Sequence, residues 1–300
     1  MERIMVIGSN GLLGTEVCRK LLQQDCEVIG YSSRKSSIEA RGFTFYAGDL
    51  NEYGTIARIM KKHAIDVVIH NAALSHPKMA QGNSYKMFKV NLTGVLNSLE
   101  ASVLTDVGRF VFISAAGVYG NNKSDPIYET APLCSECAYD SAKIAAEEAV
   151  KNYGIDNAIL RIGFIYGPGR ITECPIAMLI NEILDKGSVK WEHGIDQYLD
   201  YIYLSDAADG VIRAALAKNL NHKIYNLGGN RLTPYSSIVQ IVEGLYPNTS
   251  IQIGNGGLGY DDIGRMDISR AQKDFGYMPR VSLEEGIEIY NKWLVSNHKK

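Results

Sequence analysis

Short apolar runs alternate with amphipathic segments through the first half of the chain. Runs rich in β-branched residues predict strands over residues 3–7, 27–31, 44–47, 66–70, 109–114 and 157–162. Between them, apolar residues at helical spacing predict helices over residues 15–24, 53–63, 84–105 and 139–153. Strands that alternate with helices in this way usually pair in parallel. We therefore predict a Rossmann-type α/β fold with a doubly wound parallel sheet.

The alternation breaks after Gly167-Pro168-Gly169. Helices are predicted beyond it over residues 175–186, 205–216, 235–245 and 283–295, with short strands between them. We predict a dinucleotide-binding domain of residues 1–168 plus about 200–229, and a smaller C-terminal α/β substrate lobe of about residues 169–199 plus 230–300. Ligands of such folds bind at the carboxyl ends of the strands, which this lobe is expected to cover.

The composition is that of an ordinary globular protein. Of the 300 residues, 46% are hydrophobic and 21% are charged, and the formal net charge is −2. The sequence shows no large basic stretch and no apolar run long enough to span a bilayer, so we expect neither a nucleic-acid nor a membrane partner. The first strand begins at Arg3, which leaves no room for a signal peptide, and the cysteines are scattered. Both features favour a cytoplasmic protein, and the lone Cys134/Cys137 pair predicts no metal site.

A glycine-rich turn joins the first predicted strand to the first helix. Its glycines depart from the plain G-x-G-x-x-G spacing of the dinucleotide fingerprint. A strand, a glycine turn and a helix place backbone N–H groups where a pyrophosphate can bind, and side chains at the glycine positions would block it. The alternative is a turn that binds no ligand. The predicted cofactor contacts here are Gly8, Asn10, Gly11, Leu12, Leu13 and Gly14.

Tyr139 and Lys143 lie one turn apart on a predicted helix, so their side chains share a face. A free tyrosine has a pKa of about 10 and is a poor base at neutral pH. A lysine charge roughly 4 Å away, at an effective dielectric of about 20, favours the phenolate by about 4 kcal/mol. That is about three pKa units, so the pair is a candidate general acid and base. The alternative is a solvated surface contact.

Together with these residues, an ordered set of further motifs resembles the extended short-chain dehydrogenase/reductase family, the epimerase and dehydratase group that works on nucleotide sugars. The resemblance covers essentially the whole chain. It implies an NAD(P)-dependent enzyme in which Tyr139 exchanges a proton with a substrate hydroxyl or carbonyl while hydride moves to or from the nicotinamide. The motifs are Gly48-Asp49-Leu50, His70-Asn71-Ala72-Ala73, Asn91-Leu92-Thr93-Gly94, Val118-Tyr119-Gly120, Leu160-Arg161, Tyr166-Gly167-Pro168-Gly169, the segment from Asp200 to Asp206 and Tyr225-Asn226-Leu227-Gly228.

The resemblance also implies roles for single residues. Asp49 would accept a hydrogen bond from the adenine amine, with Leu50 beside it; the alternative for Asp49 is an ordinary turn residue. Asn91 would help to hold a water near Lys143, or would simply bond to the backbone inside its helix. Lys143 would bind the nicotinamide ribose. Asn71, Ala72 and Ala73 would line the cofactor at the end of the fourth strand.

The turn after the second strand bears on the choice of cofactor. Relatives that prefer NAD usually carry an acidic residue at about position 32, where it bonds the ribose 2′-hydroxyl and repels a 2′-phosphate. This chain has Ser32, Ser33 and Arg34 instead, and an arginine binds phosphate through its planar fork. We therefore favour NADP over NAD; the alternative is a solvated basic turn.

The substrate side departs from the family pattern. Ala115 stands where the family has a catalytic serine or threonine, Phe164 where it has a substrate-contacting asparagine, and Leu199 where it has an arginine for the diphosphate. Ser114 is a candidate replacement hydroxyl, although neighbouring strand residues point to opposite faces. Arg170, Arg231 and Arg265 are candidate replacement anion contacts, and His76 and Lys78 are expected near the substrate mouth.

These departures leave the exact activity open. The favoured hypothesis is an epimerase/dehydratase-type oxidoreductase that acts on a small molecule, a sugar or a nucleotide-sugar-like compound. The alternatives are an NADPH-dependent carbonyl reductase of a non-nucleotide substrate and a non-catalytic dinucleotide-binding redox sensor. A dehydratase is the least favoured outcome, because residues 115–117 lack the Asp-Glu pair of that group. The resemblance also implies a homodimer formed through residues 84–105 and 139–153.

Overall fold

The computed structural model of the protein describes residues 1–75 and 83–298. His76 and Lys78 lie outside the described residues. No helix in the described part of the chain is long and apolar enough to cross a membrane.

A seven-stranded parallel sheet forms the centre of the molecule, and it confirms the predicted Rossmann-type fold. The strand order is β11-β6-β5-β4-β1-β2-β3. Because the chain runs outward from β1 through β2 and β3 and then returns to the other side with β4, the order reverses between β1 and β4. Ligand crevices of doubly wound sheets open at this kind of reversal. The strands are β1 Glu2–Ile7, β2 Cys26–Ser32, β3 Phe43–Ala47, β4 Val67–His70, β5 Arg109–Ala115, β6 Asp156–Ile162 and β11 Ile224–Leu227.

Helices cover both faces of this sheet. On one face, α1 and α7 pack through residues such as Val17 and Val211. On the other face, α2, α4 and α5 pack through residues such as Ile56, Leu99 and Val150. Burial on both faces explains why these strands are apolar runs rather than alternating ones. The helices are α1 Leu12–Leu21, α2 Tyr53–His63, α4 Gly94–Leu104, α5 Ala138–Asn152 and α7 Leu204–Leu216.

The single helix predicted over residues 84–105 is interrupted in the structure. It consists of α3 Ser84–Phe88, a π-helical turn at Lys89–Thr93, and α4. A π-turn inserts extra backbone into a helix and often occurs at functional sites. Here it contains Asn91, whose side chain bonds outside the helix, as described below.

The C-terminal part adds a separate core above the carboxyl ends of the strands. Apolar residues of its helices, including Leu179, Ile238 and Ile287, pack together with Leu199, which lies in a short strand outside the central sheet. Three two-stranded pairs in the described part of the chain lie apart from the seven-stranded sheet: β7 Phe164–Tyr166 with β10 Tyr201–Tyr203, β8 Ser188–Trp191 with β13 Ser250–Ile253, and β9 Tyr198–Leu199 with β12 Thr233–Pro234. The remaining helices are α6 Pro175–Lys186, α8 Tyr235–Leu245, α9 Ser269–Phe275 and α10 Leu283–Asn297.

Candidate active site

A cavity of about 970 Å³ opens at the carboxyl ends of the strands, next to the reversal of strand order. It contains most of the residues that the sequence predicts as cofactor contacts; Gly14 and Asn91 are the exceptions. The predicted residues that border it are Gly8, Asn10, Gly11, Leu12, Leu13, Ser32, Ser33, Arg34, Asp49, Leu50, Asn71, Ala72, Ala73, Ser114, Tyr139 and Lys143.

The glycine turn is shaped by close backbone contacts. Gly8 has a φ of +86°, and a Cβ at this position would lie 2.6 Å from the backbone nitrogen of Ala72. A Cβ on Gly14 would lie 2.2 Å from the carbonyl oxygen of Gly8. Gly14 therefore allows α1 to pack against the turn and does not itself face the cavity. No side chain of the described residues caps the N-terminus of α1 at Gly11, which leaves the first N–H groups of that helix free for an anionic group.

The turn after β2 forms the opposite rim of the cavity. The side-chain amide of Asn10 donates a hydrogen bond to the carbonyl oxygen of Arg34, which ties this turn to the glycine turn. Arg34 and Lys35 both border the cavity. Asp49 accepts a hydrogen bond from the backbone N–H of Asn51 at 2.9 Å, and this bond lowers the pKa of its carboxyl group. The second carboxylate oxygen of Asp49 has no hydrogen bond within the described residues.

Asn91 does not border the cavity. It is 1% exposed. Its Oδ1 accepts a hydrogen bond from the backbone N–H of Leu74 at 2.8 Å, and its Nδ2 donates to the carbonyl oxygen of Leu74 at 3.2 Å. These bonds join Asn91 to the backbone of another segment and not to that of its own helix, and the water-holding role stays a prediction. Leu74 lies on the loop after β4 and borders the cavity, so Asn91 stabilises this part of the cavity wall from its buried side.

Tyr139 and Lys143 lie on the face of α5 that borders the cavity. The Nζ of Lys143 is 5.9 Å from the centroid of the Tyr139 ring and donates a hydrogen bond to the carbonyl oxygen of Ile113 at 2.6 Å. Burial lowers the pKa of Lys143 to about 8, while the nearby Glu147 carboxylate acts in the opposite direction. The predicted pair therefore faces a common cavity and is not a solvated surface contact.

The expected acidification of Tyr139 is not found in the protein alone. Burial raises the pKa of Tyr139 above its ordinary value, and the neighbouring carboxylate of Asp140 raises it further. The prediction from Coulomb's law omitted the cost of desolvating a phenolate, which exceeds the benefit of a distant ammonium. A lower pKa for Tyr139 would require additional positive charge in the cavity.

Ser114 is not a free replacement for the hydroxyl missing at Ala115. Although Ser114 borders the cavity, its Oγ donates a hydrogen bond to Oε1 of Glu147 at 2.5 Å. Glu147 is fully buried and pairs with Arg161, whose Nη2 lies 2.7 Å from Oε2 of the carboxylate. The Ser114 hydroxyl is thus part of a buried ion-pair cluster beneath the cavity.

The substrate end of the cavity is largely aromatic and apolar. The rings of Phe164 and Tyr260 meet edge to face, with centroids 5.5 Å apart, and Leu199 lies on the same wall. The guanidinium of Arg170 lies over the Phe164 ring at 4.5 Å and donates to the carbonyl oxygens of Ile165 and Glu173. Arg170 therefore borders the cavity with part of its hydrogen-bonding capacity already used.

The other candidate anion contacts are not part of this site. Arg265 pairs with Asp125 at 2.9 Å, and neither Arg265 nor Arg231 borders the cavity. Sequence reasoning missed other residues that do border it, namely Asp140, Tyr260, Asp261 and Ile263. The last three follow glycine-rich sequence without periodicity, where no local signal places them. Asp140 is a neighbour of Tyr139 in sequence, which predicts only that the two side chains point about 100° apart around the helix.

The comparisons with known proteins agree with this fold and this cavity. The chain matches the model of the NAD dependent epimerase/dehydratase family over residues 4–228. It is 27% identical to the UDP-glucuronate 4-epimerase of Thermodesulfobacterium geofontis, over 99% of this chain and 97% of that protein. It is 25% identical to the dTDP-glucose 4,6-dehydratase of an Actinoplanes species, over 98% of each chain.

A solved structure shows the same architecture. The crystal structure of the UDP-glucose 4-epimerase of Thermus thermophilus in complex with NAD aligns with a TM-score of 0.86 at 24% identity, over 98% of this chain and 99% of that one. The chain therefore belongs to the NAD-dependent epimerase/dehydratase family. The predicted enzyme class, an oxidoreductase or epimerase of the extended short-chain dehydrogenase type, is confirmed.

Proposed function

We propose that this protein binds NAD(P) in the cavity and acts on a hydroxyl or carbonyl group of a sugar or nucleotide-sugar-like substrate. The observation that supports this most strongly is that the glycine turn, Tyr139 and Lys143 border one cavity at the reversal of strand order. The uncapped N-terminus of α1 and the side-chain-free approach at Gly8 suit a dinucleotide pyrophosphate. A bound nicotinamide would supply a hydride acceptor or donor and, in its oxidised form, a positive charge.

Tyr139 is proposed to move the proton at the reacting oxygen of the substrate. Tyr139 is 8% exposed and borders the cavity, so it is largely protected from bulk water. Because burial raises its pKa, the phenolate needs positive charge nearby during the reaction. Lys143 contributes such charge and also presents its ammonium group to the ribose side of the cavity. Lys143 is held in place by its hydrogen bond to Ile113.

The relatives guide the proposed substrate class. Three relatives of this chain are named for UDP-glucuronate, UDP-glucose and dTDP-glucose. In this chain the cavity is lined by Phe164 and Leu199 where the family pattern has polar residues, and Arg170 is the cation that packs on Phe164. We therefore propose a substrate whose anionic group needs fewer cationic contacts than the diphosphate of an ordinary nucleotide sugar.

NADP is the proposed cofactor in preference to NAD. Ser32 offers a hydroxyl where a carboxylate would repel a 2′-phosphate, and Arg34 and Lys35 place positive charge at the same rim of the cavity. Arg34 forms no ion pair within the described residues, so its charge is available to a ligand.

A substitution at Tyr139 tests the proposed mechanism. The purified protein is incubated with NADP+ or NAD+ and with UDP-glucose, UDP-glucuronate or dTDP-glucose, and both cofactor reduction and sugar products are followed. Tyr139→Phe removes the proton-transferring group and keeps the ring, so we expect turnover to fall by about 100- to 10,000-fold. Cofactor affinity, measured by titration, should stay the same. Normal turnover in the variant would rule the mechanism out.

The same variant separates the other candidate functions. A redox sensor would bind cofactor and release no product in either form, whereas a carbonyl reductase would consume NADPH with simple ketones or aldehydes and lose that activity in Tyr139→Phe. The buried Lys143 favours an enzyme, because burying an ammonium group costs stability and a sensor has no use for it.

A cytoplasmic homodimer completes the proposal. All five cysteines are free, which suits a reducing compartment. The helices α3 and α4, in the segment expected to form the interface, expose apolar side chains that include Tyr85, Val103 and Leu104. Light scattering of the purified protein should give the mass of a dimer, and a monomer at micromolar concentration would contradict this part of the proposal.

A further inference from the structure

Asp140 is a buried carboxylate at the wall of the cavity, adjacent in sequence to Tyr139. It is 2% exposed and borders the cavity. Its Oδ2 accepts a hydrogen bond from the thiol of Cys137 at 3.0 Å. A thiol is a weak donor. Within residues 1–75 and 83–298, the side chain of Asp140 has no other hydrogen bond and no ion pair.

Other buried aspartates of this protein have clear structural roles. Asp200 accepts hydrogen bonds from the backbone N–H groups of Gly229 at 2.6 Å and Met266 at 3.0 Å. Asp206 accepts bonds from the backbone of residues 280 and 281 at 3.0 and 2.9 Å. Each of these carboxylates joins distant segments of the chain. Asp140 joins none, so the cost of burying its charge is not offset by the fold.

Asp140 lies beside a part of the cavity wall that has no polar side chain of its own. Residues 115–117, at the end of β5 and the start of the following 3₁₀ turn, carry no polar side chain, although all of them border the cavity. A Cβ on Gly117 would lie 2.6 Å from Oδ1 of Asp140. The carboxyl group thus fills the space that a side chain at residue 117 would need. The polar group on this wall comes from α5 instead of from the end of β5.

We propose that Asp140 is a substrate-contacting residue that accepts a hydrogen bond from a substrate hydroxyl close to the group on which Tyr139 acts. This inference rests on the proposed function, because it assumes a hydroxylated substrate in the same cavity. No proton is transferred to Asp140, and no bond is made or broken at it. Its role is to orient the substrate where Ala115 offers no hydroxyl. Asp140 would also restrict the substrates to those with a hydrogen-bond donor next to the group on which Tyr139 acts.

The charge state of Asp140 gives the proposal a measurable signature. The groups that face it are the thiol of Cys137, the phenol of Tyr139 and the carboxylates of Glu136 and Asp261. Burial raises the pKa of Asp140 to about 6, and the two carboxylates add to the shift. Since the ionised form is the better acceptor, substrate binding should weaken as the pH falls below about 6.

The test compares Asp140→Asn with Glu148→Gln. Glu148 lies on the same helix, but its side chain is 55% exposed and pairs only with Lys151 within the described residues. With UDP-glucose, UDP-glucuronate and dTDP-glucose as probes, Asp140→Asn should lower kcat/KM by about 10- to 100-fold, the value of a hydrogen bond to a charged group. It should also lose the acid limb of the pH profile, while cofactor affinity stays unchanged. Glu148→Gln should match the wild type in every respect.

Unchanged kcat/KM in Asp140→Asn, with the acid limb retained, would overturn the proposal. A second measurement needs no substrate: the thermal unfolding midpoint of the free protein. A carboxyl group whose pKa is raised by folding destabilises the folded state as the pH rises from about 4 toward 6. Asp140→Asn should therefore unfold at the same or a higher temperature than the wild type, and its advantage should grow over that pH interval.

The two measurements separate this inference from the proposed function. If the wild type converts none of the probes, the proposed function fails for those sugars, whereas the unfolding midpoints still show whether Asp140 is a structural residue. A midpoint several degrees below the wild type in Asp140→Asn, with Glu148→Gln unaffected, would show that Asp140 is a structural residue and would overturn the inference.

Discussion

Among single residues, the ion pair of Glu147 and Arg161 fixes helix α5, which carries Tyr139 and Lys143, against the sheet. Glu147 lies one turn beyond Lys143 on α5, and its carboxylate binds Arg161 of β6 and the hydroxyl of Ser114 on β5. The remaining donors of Arg161 reach the Tyr119 hydroxyl and the carbonyl oxygen of residue 129, both at 3.0 Å. Every nitrogen of the Arg161 guanidinium and both oxygens of the Glu147 carboxylate therefore have hydrogen-bond partners, which helps a buried pair to be tolerated.

Removing the negative partner of this pair should destabilise the protein strongly. Glu147→Gln leaves the Arg161 charge buried without a counter-ion, so we expect the free energy of unfolding to fall by about 3–5 kcal/mol. Urea unfolding followed by circular dichroism measures this. Glu148→Gln, the adjacent and exposed position, should change stability by less than about 0.5 kcal/mol. Equal stability of both variants would mean that the ion pair does not anchor α5.

Tyr139 shows why the spacing of a tyrosine and a lysine on a helix does not by itself set the pKa of the phenol. The spacing of Tyr139 and Lys143 correctly places both side chains at one cavity. The direction of the pKa shift depends on burial and on Asp140, and neither follows from the spacing. Burial also lowers the pKa of Lys143 to about 8, so the same desolvation acts on both members of the pair.

At the scale of elements, the packing of α1 against the glycine turn controls the geometry of the proposed pyrophosphate site. A side chain at Gly14 would collide with the carbonyl oxygen of Gly8, which is backbone and cannot rotate away. Gly14→Ala should therefore displace α1 and lower the free energy of unfolding by about 1–3 kcal/mol. It should also weaken cofactor binding, because the helix N-terminus moves. Denaturant unfolding and cofactor titration measure the two effects.

Gly54 provides a matched control for this prediction. It also lies in a helix, α2, and a Cβ there would meet nothing within 4 Å. Gly54→Ala should raise the free energy of unfolding by about 0.5–1 kcal/mol, because alanine loses less backbone entropy in a helix. If Gly14→Ala were as benign as Gly54→Ala, close packing at the turn would not be required.

The interrupted helix over residues 84–105 is a second effect at this scale. Its amphipathic sequence predicts continuous helix, and α3 and α4 are both helical. The π-turn between them accommodates the buried amide of Asn91 and its two bonds to Leu74. Tertiary contacts across the cavity wall therefore override a regular local preference.

At the scale of the whole molecule, cofactor binding should stabilise the fold, and the size of the effect should report the cofactor preference. A ligand present at 100 times its Kd adds about 2.7 kcal/mol to the free energy of unfolding. If NADP is preferred, NADP+ should raise the unfolding midpoint more than NAD+ at the same concentration. A larger rise with NAD+ would contradict the proposed preference.

Substitution of Arg34 refines that experiment. Arg34→Ala removes the proposed phosphate contact, so the NADP+ affinity should fall by about 10- to 100-fold while the NAD+ affinity stays the same. Arg41→Ala removes an exposed arginine that does not border the cavity and should change neither affinity. Equal losses for both cofactors would place Arg34 outside any 2′-phosphate site.

Local sequence was enough to predict the strand and helix order, the parallel sheet, the glycine turn and the shared face of Tyr139 and Lys143. These features depend on periodicity and on spacing within a single element, which a local pattern records. Predicted strands and helices accordingly lie within one to three residues of those observed at most boundaries.

The hydrogen-bond partner of each polar group, in contrast, depends on the folded chain and could not be predicted locally. Ser114 bonds to Glu147, Asn91 to Leu74, and Phe164 packs against Tyr260. Each of these contacts joins residues far apart in the chain, and burial at the junction sets the sign of the pKa shifts. The role proposed for Asp140 also depends on the fold. It rests on the few hydrogen-bond partners that surround the buried carboxylate within the described residues, and local sequence does not predict these.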